Sequence, residues 1–229
     1  MTYNLFFKNR SPSSSLTIIK ESNPDILLVQ ELIPSWEKRL NNSIGKDYPY
    51  RKTLPLRGTH GIGIYSKYPI LANHFLKNES SLPFAQIVEV KIGIKRIQLV
   101  NTHLASPAIA IENPDNFLSL FASNYRKRIS QLQKINSLTR KKEFNVQIMA
   151  GDLNTTRYEP LFRNIESEWV DLFSISGIGS QENFPNSSKT NPLLALDYIF
   201  ARGALNSIET QVIEGGGSDH LAIIGKIEI

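Results

Sequence analysis

Residues 146–154 read Val-Gln-Ile-Met-Ala-Gly-Asp-Leu-Asn. The first five are almost unbroken apolar chain, the pattern of a strand covered on both faces. Gly151 ends the run, and Asp152 and Asn154 follow at once, placing two oxygen-bearing side chains at the mouth of a buried strand. The same arrangement recurs along the chain. Residues 25–30 (DILLVQ) run apolar into Glu31, and residues 95–100 run into Asn101, Thr102 and His103. Asn4 sits in a strand at residues 2–5, Asp197 lies near the start of one at 196–200, and Asp219 with His220 precedes one at 221–229.

Further strands are predicted at 61–65, at 208–212 and at 86–92, where Val88, Val90 and Ile92 alternate with polar residues as in a strand wet on one face. Helices fit 16–22, 35–42 and 123–142, the last carrying Ile129, Leu132, Ile135 and Leu138 at three-residue steps. Residues 105–121 are apolar but carry Pro107 and Pro114, and residues 174–192 are rich in Gly, Ser, Asn and Pro, so both read as long loops. Loops of that length are uncommon unless they serve a function. Many strands with few helices imply packed sheets with helices outside. No repeat, low-complexity tract or linker divides the chain, so residues 1–229 are expected to form one domain.

The chain has 229 residues, 41% of them hydrophobic, and no cysteine. A core of that size needs no disulfide or structural metal, and thiolate zinc sites are excluded. Lys and Arg number 26 against 21 Asp and Glu, a net +5 that mildly favours anionic partners. The basic clusters, Arg126, Lys127, Arg128 and Arg140, Lys141, Lys142, resemble ordinary solvated helix faces. No apolar run approaches the roughly 20 residues that span a bilayer, and the chain as written reads as soluble. The strand at residue 2 has no lead-in after Met1, which raises the expectation of an upstream anchor or signal and leaves the compartment open.

The polar residues at the strand ends suggest one chemistry. Glu31, Asp152, Asp219 and the amide oxygens of Asn4 and Asn154 are hard donors that suit Mg²⁺, with Mn²⁺ as an alternative, and not zinc. Clustered carboxylates repel one another, so a divalent cation is their natural counter-charge. His103 and His220 add groups that carry a proton near neutral pH. Metal, carboxylates and histidines together point to phosphate ester hydrolysis. Taken singly, each residue is more often a cap, a turn residue or half of an ion pair; the argument rests on the set. Gly151-Asp152-Leu153-Asn154 alone arises by chance in roughly one chain of this size per thousand. His60 and His74 read as bystanders.

The ordered series Asn4, Gln30-Glu31, Gly61-Ile62-Gly63-Ile64-Tyr65-Ser66, Asn101-Thr102-His103-Leu104, Gly151-Asp152-Leu153-Asn154, Leu196-Asp197-Tyr198-Ile199-Phe200 and Ser218-Asp219-His220 resembles the endonuclease/exonuclease/phosphatase superfamily, whose members include deoxyribonuclease I. The resemblance runs from residue 4 to 220 and is nearest in style to compact uncharacterised bacterial members. It implies an α+β fold, a four-layer α/β/β/α sandwich of two mostly antiparallel sheets with outer helices, and one Mg²⁺-dependent site. By that resemblance Glu31 is the principal metal ligand, with Asn4 beside it, and Asp152 and Asn154 orient the attacking water or hold a second metal. His220 is the catalytic histidine, Asp197 the carboxylate that orients it, and Asp219 a further metal or phosphate-site carboxylate. His103 contacts the scissile phosphate. Arg128 and Gln131 match a recurring Arg-x-x-Gln that reads as structural.

The resemblance fixes chemistry better than substrate. His103-Leu104-Ala105-Ser106-Pro107 leans toward a phosphodiesterase or nuclease, and the segment lacks the Tyr-x-Pro-Asn pattern of abasic-site endonucleases. The alternatives are a lipid or small-molecule phosphoesterase, sphingomyelinase-like or inositol-phosphatase-like, and a catalytically dead binding module, which the full set of polar positions disfavours. The expected partner is a phosphoester substrate, nucleic acid or phospholipid. No protein partner is implied, and the chain is expected to be a monomer.

Overall fold

The unbroken apolar runs are apolar because their two faces enter two different cores. The computed structural model describes residues 1–140, 144–187 and 190–229. In β2 (Ile26–Gln30), Leu27 and Val29 pack against Ile19 of α1 (Pro12–Ser22) and Trp36 and Leu40 of α2 (Pro34–Ile44), while Leu28 packs the other way, with Val88, Leu99 and Val146 of a second sheet. In β8 (Val146–Asp152), Val146 and Ala150 face that same intersheet core. Met149 faces Leu132 and Ile135 of α4 (Phe117–Thr139) and Phe162 of α5 (Pro160–Glu166). Burying each such side chain contributes about 1.5–3 kcal/mol, so the period-two alternation fixes which face of each strand points where. The order of layers is helix, sheet, sheet, helix.

The first sheet has the order β10 (Gly177–Ile178), β12 (Asn206–Ile213), β13 (Ala222–Glu228), β1 (Thr2–Asn4), β2, β4 (Ile62–Ser66), β3 (Tyr50–Leu54). The second runs β5 (Ile70–Lys77), β6 (Pro83–Ile92), β7 (Lys95–His103), β8, β11 (Asp197–Gly203), β9 (Val170–Asp171). Neighbours are antiparallel except β1 with β2, β7 with β8, and β10 with β12. That mixture decides where the polar strand ends go. Parallel β1 and β2 finish together, as do β7 and β8, while antiparallel β13 and β11 begin where β1 and β8 finish. All the chemistry-bearing ends therefore meet at one edge of the central strands.

A buried polar bracket ties the sheets beneath that edge. Gln30 Nε2 donates to Thr2 Oγ1 (3.0 Å) and Asn101 Oδ1 (2.7 Å), and Asn101 Nδ2 donates to the carbonyls of Val29 (3.1 Å) and Gly63 (3.0 Å). Asn101 thus joins β7 to β2 and β4.

Several sequence expectations are corrected. Residues 105–121 are not a loop: they hold α3 (Ala108–Ile111), a 3₁₀ turn at Pro114–Asn116 and the first turns of α4, which begins at Phe117 and not at 123. Leu138 is 37% exposed, because a strict three-residue step drifts off a face with 3.6 residues per turn. The expected end of that helix at Lys142, and the Lys141 and Lys142 part of its basic cluster, lie outside the described residues. Residues 174–192 open with the end of α6 (Leu172–Ser176) and β10 before becoming irregular. Strands β3, β5 and β9 and helix α5 are additions to the expected elements. Among the described residues no helix is long and apolar enough to cross a membrane.

Candidate active site

Gly151 is the first residue the site demands. Its φ is +144°, and a Cβ there would collide with the Thr102 carbonyl oxygen of the adjacent parallel strand. Only glycine lets β8 run this close to β7, and that approach sets Asp152 opposite His103 and Asp197 in register. Two further site residues, Glu31 (φ +55°) and Asn154 (φ +49°), hold left-handed backbone, which costs of order 1 kcal/mol or more for a non-glycine residue and is tolerated where surroundings enforce it.

Asp152 is the centre of the cluster. Its Oδ1 accepts from the Asn154 backbone N–H at 2.8 Å, and its Oδ2 faces three nitrogens: Asn4 Nδ2 at 3.1 Å, His103 Nε2 at 3.5 Å and His220 Nε2 at 3.9 Å. Burial and the Asp197 charge raise its pKa against the pull of both histidines. The histidine tautomers follow from their other nitrogens. His220 Nδ1 lies 2.6 Å from Asp197 Oδ2, and His103 Nδ1 lies 3.1 Å from the Thr59 carbonyl, an obligate acceptor. Each ring therefore carries a proton on Nδ1 and turns Nε2 toward Asp152, to which it donates only when that nitrogen is protonated as well.

For His220, burial opposes the charged ring, but Asp197, Asp152 and Asp219 outweigh it and push the pKa up to about 10. Asp197 keeps its second oxygen, Oδ1, buried without a hydrogen-bond partner among the described residues. The electrostatic field here is set by uncompensated carboxylates.

Glu31 joins the cluster from the other sheet. Its Oε1 accepts from Asn4 Nδ2 (3.4 Å) and its Oε2 from the Phe7 backbone N–H (2.9 Å). Asp219, half-buried, has its pKa raised by burial and by Glu31 and Asp152, against the pull of His220. The amide of Asn4 points its nitrogen at the carboxylates, while its Oδ1 accepts from the Phe6 backbone N–H (3.1 Å) and keeps a second lone pair. The reason is local: the tight turn after β1 engages the oxygen. Asn154 spends its Nδ2 on the Leu104 carbonyl (3.0 Å), which leaves Oδ1 as its acceptor.

Asp152, Asp197 and His220 bring ligand atoms within 4.8 Å of one another, the one such group of acidic and histidine side chains among the described residues. His220 Nδ1–H already bonds Asp197 there, so a proton serves where an ion would. Glu31, Asp152 and Asp219 form no group that close, but Asn4 Nδ2 joins Glu31 to Asp152, and carboxylate oxygens are hard donors of the kind a divalent cation takes.

Sequence reasoning missed the segment that holds the histidine. Asn183, fully buried in the irregular stretch, accepts at Oδ1 from the Leu196 and Asp197 N–H groups (both 3.2 Å) and donates from Nδ2 to the Asp197 carbonyl (3.0 Å). Phe184 packs its ring on His220, centroids 4.7 Å apart, and Asn186 N–H donates to the Asp219 carbonyl at 2.7 Å. The one available signal was the length of that loop. Arg128 and Gln131 are structural as expected: buried Arg128 donates to the Asn154 carbonyl and to Glu159, and Gln131 Oε1 accepts from Ala105 N–H (2.9 Å). His60 is exposed, and desolvation together with the charge of neighbouring His103 lowers its pKa, which places it near the site. His74 lies exposed on β5.

Two sheets face to face, with carboxylates and two oriented histidines gathered at one edge, define a phosphoester hydrolase. A sequence profile of the Endonuclease/Exonuclease/phosphatase family matches residues 1–220, and the chain belongs to that family. No curated protein sequence matches it. Among solved structures it is similar to a functionally unknown conserved protein from Enterococcus faecalis V583 (TM-score 0.78, 16% identity, 99% of this chain and 98% of that one). It is also similar to D. rerio TDP2 complexed with single strand DNA product (TM-score 0.76, 19%, 100% and 97%). A third is the mannosyl-6-phosphatase Bt3783 of Bacteroides thetaiotaomicron VPI-5482 (TM-score 0.73, 14%, 100% and 98%). At these identities the likeness is one of fold.

Proposed function

We propose that the protein is a Mg²⁺-dependent phosphodiesterase acting on a nucleic-acid-type diester, with Mn²⁺ able to replace Mg²⁺. The observation that carries this reading is the convergence of His103 Nε2 and His220 Nε2 on one oxygen of Asp152 (3.5 and 3.9 Å). Glu31, Asp152 and Asp219 would hold the cation, which when bound neutralises phosphoryl and leaving oxygens.

The chain's own residues do the rest. His103, locked by Thr59, would donate from Nε2 as an imidazolium to a non-bridging oxygen of the scissile phosphate. Asp152, whose Oδ2 opens toward the two histidines, orients a water for in-line attack and takes its proton there. As the water oxygen bonds to phosphorus, the ester oxygen leaves on the opposite side. His220, protonated and fixed by Asp197, donates from Nε2 to the oxygen charge that develops. Asn4 Nδ2 keeps Asp152 and Glu31 from splaying apart. The TDP2 structure with a single strand DNA product supports a nucleic-acid diester on this fold.

One panel tests the proposal: plasmid, oligonucleotide, sphingomyelin, inositol phosphates and bis(p-nitrophenyl) phosphate, each with Mg²⁺, Mn²⁺ or EDTA. Hydrolysis of nucleic acid and the chromogenic diester, abolished by EDTA, is the expected result. Turnover unaffected by EDTA, or confined to monoesters, would contradict it. A second reading, a lipid phosphodiesterase, draws on the apolar surface at Ile109, Ile111, Phe117 and Leu118, 40–80% exposed, a few residues beyond His103 in the chain. It requires faster turnover on phospholipid vesicles than on soluble diesters.

A further inference from the structure

Beside the carboxylate cluster lies an open cavity of about 390 Å³, lined by Phe6, Lys8, Arg10, Asn186, Gly217 and Asp219. Two lining residues join it to the cluster, since Phe6 N–H donates to Asn4 Oδ1 (3.1 Å) and Ser218 Oγ to the Asn4 carbonyl (2.7 Å). The opposite wall is the turn that follows β1. Its position is fixed tightly: Phe7 N–H donates to Glu31 Oε2 (2.9 Å), Asn9 N–H to the Phe6 carbonyl (2.9 Å), and Asn9 Nδ2 to the Leu5 carbonyl (3.2 Å) and Ser15 Oγ (3.1 Å). Buried Ser15 Oγ in turn accepts from Gly217 N–H (3.1 Å), which ties the turn to the facing wall. A Cβ on Gly217 would strike the Ser11 carbonyl, so only glycine lets the two walls meet.

That rigid turn presents Lys8 and Arg10 to the cavity, and neither has an ion-pair partner among the described residues. Lys8 Nζ instead lies 5.1 Å from the Phe7 ring centroid. Two cations on a braced turn, one and three residues beyond a backbone N–H that touches Glu31, are built to meet negative charge arriving next to the site. Asp219 is the one carboxylate among the lining residues, and it faces the cluster where a cation is proposed.

We propose that this cavity is a subsite for a second phosphate on the substrate, adjacent to the phosphate that is cleaved, with Lys8 and Arg10 as its ligands. The inference rests on the phosphodiesterase reading for the neighbouring site and narrows its substrate to a phosphoester that carries at least two phosphates. Two sources share this chemistry, the next phosphate of a nucleic-acid strand and a second phosphate on a small polyol.

The test is equilibrium binding by calorimetry with two matched ligand pairs: thymidine 3′,5′-bisphosphate against thymidine 5′-monophosphate, and inositol 1,4-bisphosphate against inositol 1-phosphate. For the wild-type protein with Mg²⁺, one bisphosphate is expected to bind about tenfold tighter or more than its monophosphate, the scale of a charge-assisted contact. In the exposed double variant Lys8→Ala/Arg10→Ala that ratio should fall toward one. A larger ratio in the thymidine pair assigns the strand as source, and a larger ratio in the inositol pair assigns the polyol. A ratio near one in the wild type, or one that survives in the double variant, overturns the subsite. Binding needs no turnover, so the two readings fail separately: a preserved preference without hydrolysis of any diester would sink the phosphodiesterase reading alone.

Discussion

At the scale of the residue, the site is governed by how many partners one oxygen can hold. Asp152 Oδ2 faces an amide and two imidazoles, and each of those is oriented by a second acceptor behind it. His220→Ala and Asp152→Ala should each lower turnover of bis(p-nitrophenyl) phosphate by about 10² or more, the usual scale for a lost acid or base. Near-normal rates in either would remove that residue from the mechanism. Asp197→Asn tests the field more directly. Burial alone drives an imidazole below its ordinary value near 6.5, and the carboxylates reverse that to about 10 in His220. With the Asp197 charge gone, the His220 pKa read from its NMR resonances should fall markedly. An unmoved His220 would mean that Asp197 does not set its charge.

At the scale of the element, what the sequence reveals and what it hides have a common cause. Strands β2 and β8 are legible because both faces are covered, so their apolar runs have no other reading. Strands β3 and β5 are not, because they are sheet edges whose outward residues, such as Arg51, Lys52 and His74, are wet and mask the pattern. Proline misled in 105–121: Pro114 opens the 3₁₀ turn that leads into α4, a first-turn position where a missing N–H costs nothing. Asp152, His103, His220, Asp197, Glu31 and Asp219 were all legible as strand-end polar residues. Asn183 was not, since its role comes from contacts to residues 13 and 14 positions away and no local pattern marks it. Asn183→Ala should lower kcat by loosening Asp197, and shift the pH profile of kcat as the His220 pKa moves. A loss confined to stability, with the profile unchanged, would make Asn183 merely structural. Arg128→Ala leaves Glu159 and the Asn154 carbonyl without their buried partner and should cost about 3 kcal/mol in urea unfolding. A loss under 1 kcal/mol would count against that reading of the clamp.

At the scale of the whole molecule, the intersheet core and the Gln30–Asn101 bracket join the sheets, and we propose that residues 1–229 unfold as one cooperative unit. Metal-free protein should also lose stability as pH rises through the alkaline range. A His220 pKa raised above the unfolded value stabilises fully below about 6.5 and loses that contribution as pH climbs toward 10, and the raised Asp152 and Asp219 groups act in the same direction. Burial lowers the Met1 amine to about 5, which adds stability with pH up to about 8, so urea unfolding midpoints in EDTA should fall between about pH 8 and 10, and saturating Mg²⁺ should raise them by binding only the folded form. Midpoints that rise between about pH 8 and 10 in EDTA would contradict the field described here.

The account stands on one geometric claim, that Glu31 and Asp152 share a single bound ion close to His220 and His103. Paramagnetic Mn²⁺ reads it directly, because the chain has only four histidines. Substoichiometric Mn²⁺ should broaden the imidazole resonances of His220 and His103, leave His74 sharp, and lose its effect in Glu31→Gln. If His220 and His103 stay sharp at saturating Mn²⁺, or Glu31→Gln broadens as the wild type does, the shared site does not exist.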